Sequence, residues 1–112
     1  MELKLIIDII TQWKNITWDA IELQNINIHK LQLLFIETYN LLDSYRNKNY
    51  ARKELAALLL EMQEFSWWVS TLPDCPIHDN YQLVITLIQT LIKHFLGDHT
   101  DRQEVESLIN QL

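Results

Sequence analysis

Hydrophobic residues recur at intervals of three and four along almost the whole chain, which is the spacing of a helix that buries one side. The pattern predicts four long helices and a short fifth. The three-residue link Asn47-Lys48-Asn49 predicts that helices 2 and 3 are antiparallel neighbours. The predicted ranges are 2–24, 28–46, residue 50 to the residue before Pro73, 79–96, and a last helix from about residue 100 onwards.

The third helix has two apolar faces where a surface helix needs one. When successive residues are placed about 100° apart, Leu60 and Trp67 lie roughly opposite the main stripe, with Ala56 beside them and Trp68 flanking. Aromatic side chains are common interface anchors. We therefore predict that these four residues bind a partner, and the first candidate is a second copy of the chain. The main stripe comprises Ala51, Leu55, Leu58, Met62, Phe65, Val69 and Leu72.

The other helices also have wide apolar arcs, which a domain of this size cannot easily bury in full. Leu33 and Ile36 lie outside the inner face of helix 2, and Leu83 and Leu87 widen that of helix 4. Trp13 is predicted to lie in the core. The predicted inner faces are Leu5, Ile6, Ile9, Ile10, Trp13, Ile16, Ala20, Ile21 and Leu23 in helix 1; Leu31, Leu34, Phe35, Tyr39, Leu42 and Tyr45 in helix 2; and Tyr81, Val84, Ile85, Ile88, Leu91, Ile92, Phe95 and Leu96 in helix 4.

Capping residues set several of the predicted ends. Asn25 and Asn27 supply a turn and an N-cap before helix 2. Asp79-Asn-Tyr-Gln82 and Thr100-Asp-Arg-Gln103 match capping boxes at the starts of helices 4 and 5. Gly97 suits a left-handed position at the end of helix 4. The β-branched and cap-prone residues 15–17 form the weak point at which helix 1 is most prone to break.

Composition agrees with helices. The chain has 112 residues, of which 48% are hydrophobic and 21% charged, typical of a globular protein. One glycine and two prolines leave little turn chemistry for a sheet. The predicted fold is all-α, an antiparallel four-helix bundle with a short fifth C-terminal helix, forming a single domain over residues 1–112.

Net charge and cysteine content limit the kinds of partner and the cellular location that we expect. A formal charge of −6 opposes binding to nucleic acid or anionic membranes, and no run of 18 apolar residues predicts a membrane span. The bases Arg46, Lys48, Arg52 and Lys53 crowd together, and we interpret them as a solvated helix corner rather than a phosphate site. Cys75 is the only cysteine, and Asp8 interrupts the apolar N-terminal run without a cleavage site following it. A cytoplasmic location is expected.

Two pairs of acidic residues suggest an alternative, metal-dependent function. Glu61 and Glu64 are one helical turn apart, and Asp98 and Asp101 have the same spacing after helix 4. Carboxylates at this spacing can hold Mg²⁺, and they resemble in general type the paired acidic motifs of all-α nucleotide pyrophosphohydrolases. The resemblance is limited to these four residues. The alternative function is thus a metal-dependent all-α hydrolase, against the commoner case of a solvated acidic face.

Other sites are incomplete in the sequence. Cys75 and His78 would be only two of the four ligands that a structural zinc needs, so we interpret Cys75 as a free loop thiol. His94 and His99 are five residues apart, which misses the spacing of two ligands on one helical face. Glycine-rich phosphate loops are absent. We expect no cofactor, metal or catalysis, and predict a small interaction protein of the regulator, inhibitor or immunity type, most simply a homodimer, with a heterologous protein partner also open.

Overall fold

The computed structural model describes residues 2–23, 25–48, 51–75 and 77–112, with the side chain of Leu23 left aside. These residues form five α-helices, and no strand occurs within those ranges. The helices are α1 (Glu2–Trp18), α2 (Ile28–Tyr45), α3 (Lys53–Thr71), α4 (Tyr81–Leu96) and α5 (Arg102–Ile109), with a π-helical turn at Asp19–Leu23 and a 3₁₀ turn at His78–Asn80. The all-α bundle with a short fifth helix is as predicted.

Consecutive long helices run in opposite directions. Tyr45 at the end of α2 donates a 2.8 Å hydrogen bond to Glu2 at the start of α1. This bond lowers the pKa of the Glu2 carboxyl, and the charges of Lys48 and Arg52 lower it further. Arg52 immediately precedes α3, so the starts of α1 and α3 and the end of α2 lie together. At the other end of α3, His78 just before α4 binds the Val69 carbonyl.

The spatial order of the helices differs from their order in the chain. α1 packs on α2 and α3, and α4 packs on α2 and α3, whereas α2 makes no close backbone approach to α3. The prediction that helices 2 and 3 are neighbours is therefore wrong, because they occupy diagonal corners of the bundle. The parallel helices α1 and α3 pack side by side, and so do α2 and α4. α5 closes one side against α2 and α4.

Trp13 is the centre of the core, as predicted. Its indole is fully buried, and its ring meets Phe35 of α2 and Phe65 of α3 edge-on, with centroids 5.2 and 5.4 Å away. The indole Nε1–H donates a 3.0 Å hydrogen bond to Thr38 Oγ1, and that hydroxyl donates to the Leu34 carbonyl. The Trp13 side chain of α1 thus contacts both α2 and α3, and its buried indole N–H has a hydrogen-bond acceptor.

The inner faces agree largely with the predicted periodicity. All six residues predicted to face inward from α2 are buried. In α1 the exception is Leu5, which is 49% exposed, and the side chain of Leu23 lies outside the described residues. In α4, Leu96 is exposed, whereas Leu87 is fully buried because α4 is flanked by α2, α3 and α5. The apolar surplus of α4 is therefore internal.

The first helix does not break at residues 15–17. The α-helix continues to Trp18, with the Thr17 hydroxyl bound to the Trp13 carbonyl one turn back. The departure from α geometry comes one residue later, in the π-helical turn, against which α3 packs. The predicted end at residue 24 and the predicted start of helix 3 at Tyr50 lie outside the described residues.

Two of the four helix-end predictions are correct. Asn27 caps α2 by accepting a hydrogen bond from the Lys30 amide, and Gly97 ends α4 with φ 133°. Neither predicted capping box forms. α4 follows a 3₁₀ turn that already contains Asp79, and Asn80 makes no side-chain cap. α5 begins one residue later than the box predicts, so Asp101 and not Thr100 is the N-cap, and the Asp101 carboxylate makes no side-chain cap but accepts from His99.

A buried imidazole holds the α4–α5 loop to the end of α2. His94 is fully buried, and its Nδ1 accepts a 3.0 Å hydrogen bond from the Thr100 amide. Nε2 therefore carries the proton and donates to Asp43 Oδ1 at 2.7 Å. Tyr39 donates from its hydroxyl to the Thr100 carbonyl at 2.9 Å. The loop is thus held by hydrogen bonds to both the amide and the carbonyl of Thr100.

The predicted basic corner is partly structural. The guanidinium of Arg46 donates to the carbonyls of His94 and Gly97, at 3.1 and 3.0 Å, and so satisfies acceptors that the end of α4 leaves open. Lys48 pairs with Glu2 at 3.6 Å and lies over the ring of Tyr45. Half of the cluster is therefore engaged in helix ends.

Candidate protein-interaction site

The inner face of α3 follows the predicted stripe through the helix. Leu55, Leu58, Met62, Phe65 and Val69 are all buried. The predicted members at the two ends differ, since residue 51 precedes the helix and is exposed, and residue 72 is its half-buried cap. Packing in the core therefore explains the apolar residues on the buried face of α3. It does not explain those on the opposite face.

The predicted partner-binding residues lie on the side of α3 opposite its buried stripe, and we use the name outer face for Ala56, Leu60, Trp67 and Trp68. Leu60 is 66% exposed and Trp67 57%, Ala56 is exposed and Trp68 is half-buried. Trp68 packs edge-on against Trp67 with ring centroids 4.8 Å apart, which restricts the motion of the more exposed indole. The arrangement is a rigid aromatic projection beside small side chains, suited to protein contact.

The neighbouring helix α1 also exposes large apolar side chains, which the prediction did not include. Ile7 and Trp18 are exposed, and Lys14 lies between them on the same side of α1. The ammonium of Lys14 lies 4.0 Å from Glu61 of α3, so this side of α1 adjoins α3. The signal was present in the sequence, since residues 7, 14 and 18 share a helical face outside the inner arc.

Glu61 of α3, which lies beside Lys14, has a raised pKa. Partial burial raises the pKa of the Glu61 carboxyl, the charge of Glu64 raises it further, and Lys14 partly opposes both. A carboxyl held this way binds its proton more tightly in the folded chain than in the unfolded chain. The contribution of Glu61 to the free energy of unfolding therefore falls as pH rises above about 4.5, the ordinary pKa of a glutamate.

Glu61→Gln should remove this pH dependence. We expect the variant to gain stability over the unmodified chain as pH increases from 4 to 7, because it never carries the penalised charge. Urea unfolding across this range, followed by circular dichroism, measures the difference. Glu104→Gln, which removes an exposed glutamate of α5, is the matched control. An equal gain in both variants would mean that net charge, not the Glu61 environment, is responsible.

The acids of the hydrolase alternative stay in two separate pairs. Glu61 and Glu64 lie along the middle of α3, whereas Asp98 and Asp101 lie beyond the end of α4, with Asp101 bound to His99 at 2.9 Å. Across residues 2–23, 25–48, 51–75 and 77–112, no three His, Cys, Asp or Glu side chains come together as a metal site. The chain on its own does not assemble the four predicted ligands.

Cys75 is a free thiol, and it is buried within the connection between α3 and α4. His78 turns away toward α3, where its Nδ1–H donates to the Val69 carbonyl at 2.9 Å, and its ring stacks on Tyr81. Both residues therefore fasten the loop to the bundle.

A groove of about 290 Å³ lies between α1 and α2, on the other side of α1 from α3. Its lining mixes amides, charges and apolar groups from residues that include Gln12, Asn15, Lys30, Leu33 and Glu37. Such a mixture does not select one ligand chemistry, so the groove ranks below the outer face of α3 as a candidate site.

Two further findings bear on function. No helix in the described part of the chain is both long enough and apolar enough to cross a bilayer. Comparisons of the chain with models of known protein families, with characterised protein sequences and with solved structures give no match.

Proposed function

We propose that this chain is a small non-catalytic protein-interaction module, of the regulator, inhibitor or immunity type, that self-associates through the outer face of α3. The observation that supports the proposal is the exposure of Leu60 and Trp67 on a helix whose other face is already fully packed. Leaving an indole in water forgoes the free energy of its burial, and a second copy would recover it. The single free cysteine is consistent with a reducing compartment, and we place the protein in the cytoplasm.

Rigidity of the bundle makes this surface suitable for recognition. The outer face belongs to a continuous helix that is anchored through Phe65 to the central Trp13. The contact of Trp68 with Trp67 limits the rotamers that binding would have to freeze. A surface already held in its binding geometry loses less conformational entropy on association.

Trp67→Glu should abolish or strongly weaken self-association while preserving helicity. A central aromatic anchor contributes about 2 kcal/mol or more to an interface, so we expect at least a ~30-fold increase in the dissociation constant. Sedimentation equilibrium over a concentration series measures the dimer, and circular dichroism measures the fold. Leu96→Glu is the control, because Leu96 is even more exposed, at 72%, but lies at the end of α4.

Three results would contradict the proposal. The unmodified chain would remain a monomer throughout the series, or the Trp67 and Leu96 variants would weaken the dimer equally, or the Trp67 variant would unfold. The last result would place Trp67 among the side chains that maintain the fold rather than in an interface.

A further inference from the structure

The loop between α4 and α5, residues 97–101, is held to the bundle by side chains of two kinds. Arg46 and Tyr39 donate to carbonyl groups of the loop, and both stay protonated at neutral and acidic pH. Burial raises the pKa of Tyr39 still further. Among the described residues of α2 and α4 that bind the loop through a side chain, only His94 does so with a group that gains a proton in mild acid.

The hydrogen bonds of the His94 imidazole fit only its neutral form while the loop is closed. Nδ1 accepts from the Thr100 amide at 3.0 Å, and Nε2–H donates to Asp43 at 2.7 Å. A proton added to Nδ1 would point at the Thr100 N–H, which cannot accept it. Rotation of the ring gives no escape, since both nitrogens of the charged form are donors.

We infer that His94 makes the closure of this loop sensitive to acid: when the buried imidazole gains a proton, the loop detaches from it. The closed loop favours the neutral ring through the Thr100 bond, so a proton on the ring must favour the open loop by the same amount. The open loop also lets water reach an imidazole that is fully buried when the loop is closed. The inference is independent of the proposed self-association.

The charged neighbours of His94 determine the direction of this coupling. Asp43 attracts the imidazolium and Arg46 repels it, but both belong to the end of α2 and stay beside the ring whether the loop is open or closed. His99 belongs to the loop, and its ring lies 5.3 Å from that of His94, so charge on both rings repels the loop. Asp101 accepts from His99 at 2.9 Å and offsets part of this repulsion.

The remaining charges near the end of α4 are turned away from the imidazole. Lys93 and Asp98 are exposed, and Arg102 of α5 binds Asn40 and Glu106 at the surface. The buried side chains of α3, which also packs on α4, are all apolar. The lost Thr100 bond and the solvation of the ring therefore decide that a proton opens the loop.

The opening should be local, because α5 has attachments of its own. Val105 and Ile109 are buried against the bundle, and Gln32 of α2 donates to the Ile109 carbonyl at 3.2 Å. None of these contacts involves a group that titrates in mild acid. We therefore expect acid to loosen the loop and leave the four long helices folded.

Amide exchange at Thr100 measures this device directly. Protection factors from nuclear magnetic resonance, corrected for the intrinsic pH dependence of exchange, are compared at about pH 7.5 and about pH 5. We expect protection of the Thr100 amide to fall about tenfold at the lower pH, the equivalent of one net hydrogen bond, while amides of α1 and α3 keep theirs. The ¹⁵N shifts of the His94 ring report its charge in the same samples.

Two asparagine variants assign the effect to one ring. His94→Asn keeps an acceptor in place of Nδ1 but cannot become charged, so the fall in Thr100 protection should disappear. His99→Asn removes the exposed histidine of the loop and should leave the fall in place.

Several outcomes would overturn the inference. They are a His94 ring that stays neutral at about pH 5, a Thr100 amide whose protection is unchanged once the ring is charged, and an equal loss of protection in α1 and α3. A fall that persists in His94→Asn, or that disappears in His99→Asn, would overturn it as well. If His94→Asn does not fold, the unmodified chain still decides, because the ring shifts and the Thr100 protection must change with the same midpoint.

Discussion

Replacing Trp13 with alanine should lower the free energy of unfolding by about 3–5 kcal/mol, the largest effect expected from any single substitution in this chain. The indole is fully buried and contacts both Phe35 and Phe65, so its removal leaves a cavity lined by three helices. Domains of this size are stable by only about 5–15 kcal/mol, so the variant should lie close to unfolding at room temperature.

Urea unfolding followed by far-ultraviolet circular dichroism measures the loss without depending on tryptophan fluorescence. Trp18→Ala is the matched control, because Trp18 belongs to the same helix but is exposed, and a change within about 0.5 kcal/mol is expected there. Equal losses in the two variants would contradict the central role of Trp13. Thr38→Val tests the polar part of the contact, since it leaves the indole N–H buried without its acceptor.

His94→Leu should destabilise the chain by about 2 kcal/mol and loosen the loop between α4 and α5. The leucine cannot accept from the Thr100 amide or donate to the Asp43 carboxylate, so a backbone donor loses its partner. Tyr39 and Arg46 would still hold the neighbouring carbonyls, so the loss should be local before it is global. Hydrogen exchange should quicken at residues 98–109 more than in α1 and α3.

His99→Leu provides the comparison for this prediction. His99 is exposed, its ring lies 5.3 Å from that of His94, and its hydrogen bond to Asp101 is at the surface. A change within about 0.5 kcal/mol is expected. Uniform acceleration of exchange along the whole chain of the His94 variant would show instead that the imidazole supports the core as a whole.

Periodicity predicted the helices and their inner faces well because burial of one side is a local property of the sequence. Packing order is not local. The sequence pattern predicts a link of three residues, which favours neighbouring second and third helices, whereas α2 ends at Tyr45 and α3 begins at Lys53. The seven residues between them can span roughly 23 Å, enough to cross a bundle whose helices are spaced about 8–10 Å apart.

The polar positions were harder to predict than the apolar ones. His94 continues the buried stripe of Val84, Leu87 and Leu91 at intervals of three and four, which is a signal for a buried imidazole. Its partners, Asp43 and Thr100, come from another helix and a loop, so the sequence alone could not supply them. The capping boxes do not form because each helix begins at a different residue from the predicted one: Asp79 lies in a 3₁₀ turn before α4, and Asp101 instead of Thr100 is the N-cap of α5.

The candidate site was predictable in part. Leu60 and Trp67 stand out from sequence because they repeat on a face that the main stripe of α3 does not include. The contribution of Ile7 and Trp18 depends on α1 being the neighbour of α3, which the chain order does not reveal. Whether an exposed apolar residue of one helix lies near those of another can be decided only once the packing of the two helices is known.

The diagonal path from α2 to α3 also constrains how the chain can fold during synthesis. When residues 1–48 have left the ribosome, α1 still lacks α3 and α2 still lacks α4, so the nascent hairpin has an open apolar side on each helix. Neither half of the chain can complete its own core. Trp13 gains its second aromatic neighbour, Phe65, only when α3 emerges, and the core is completed only when α4 follows.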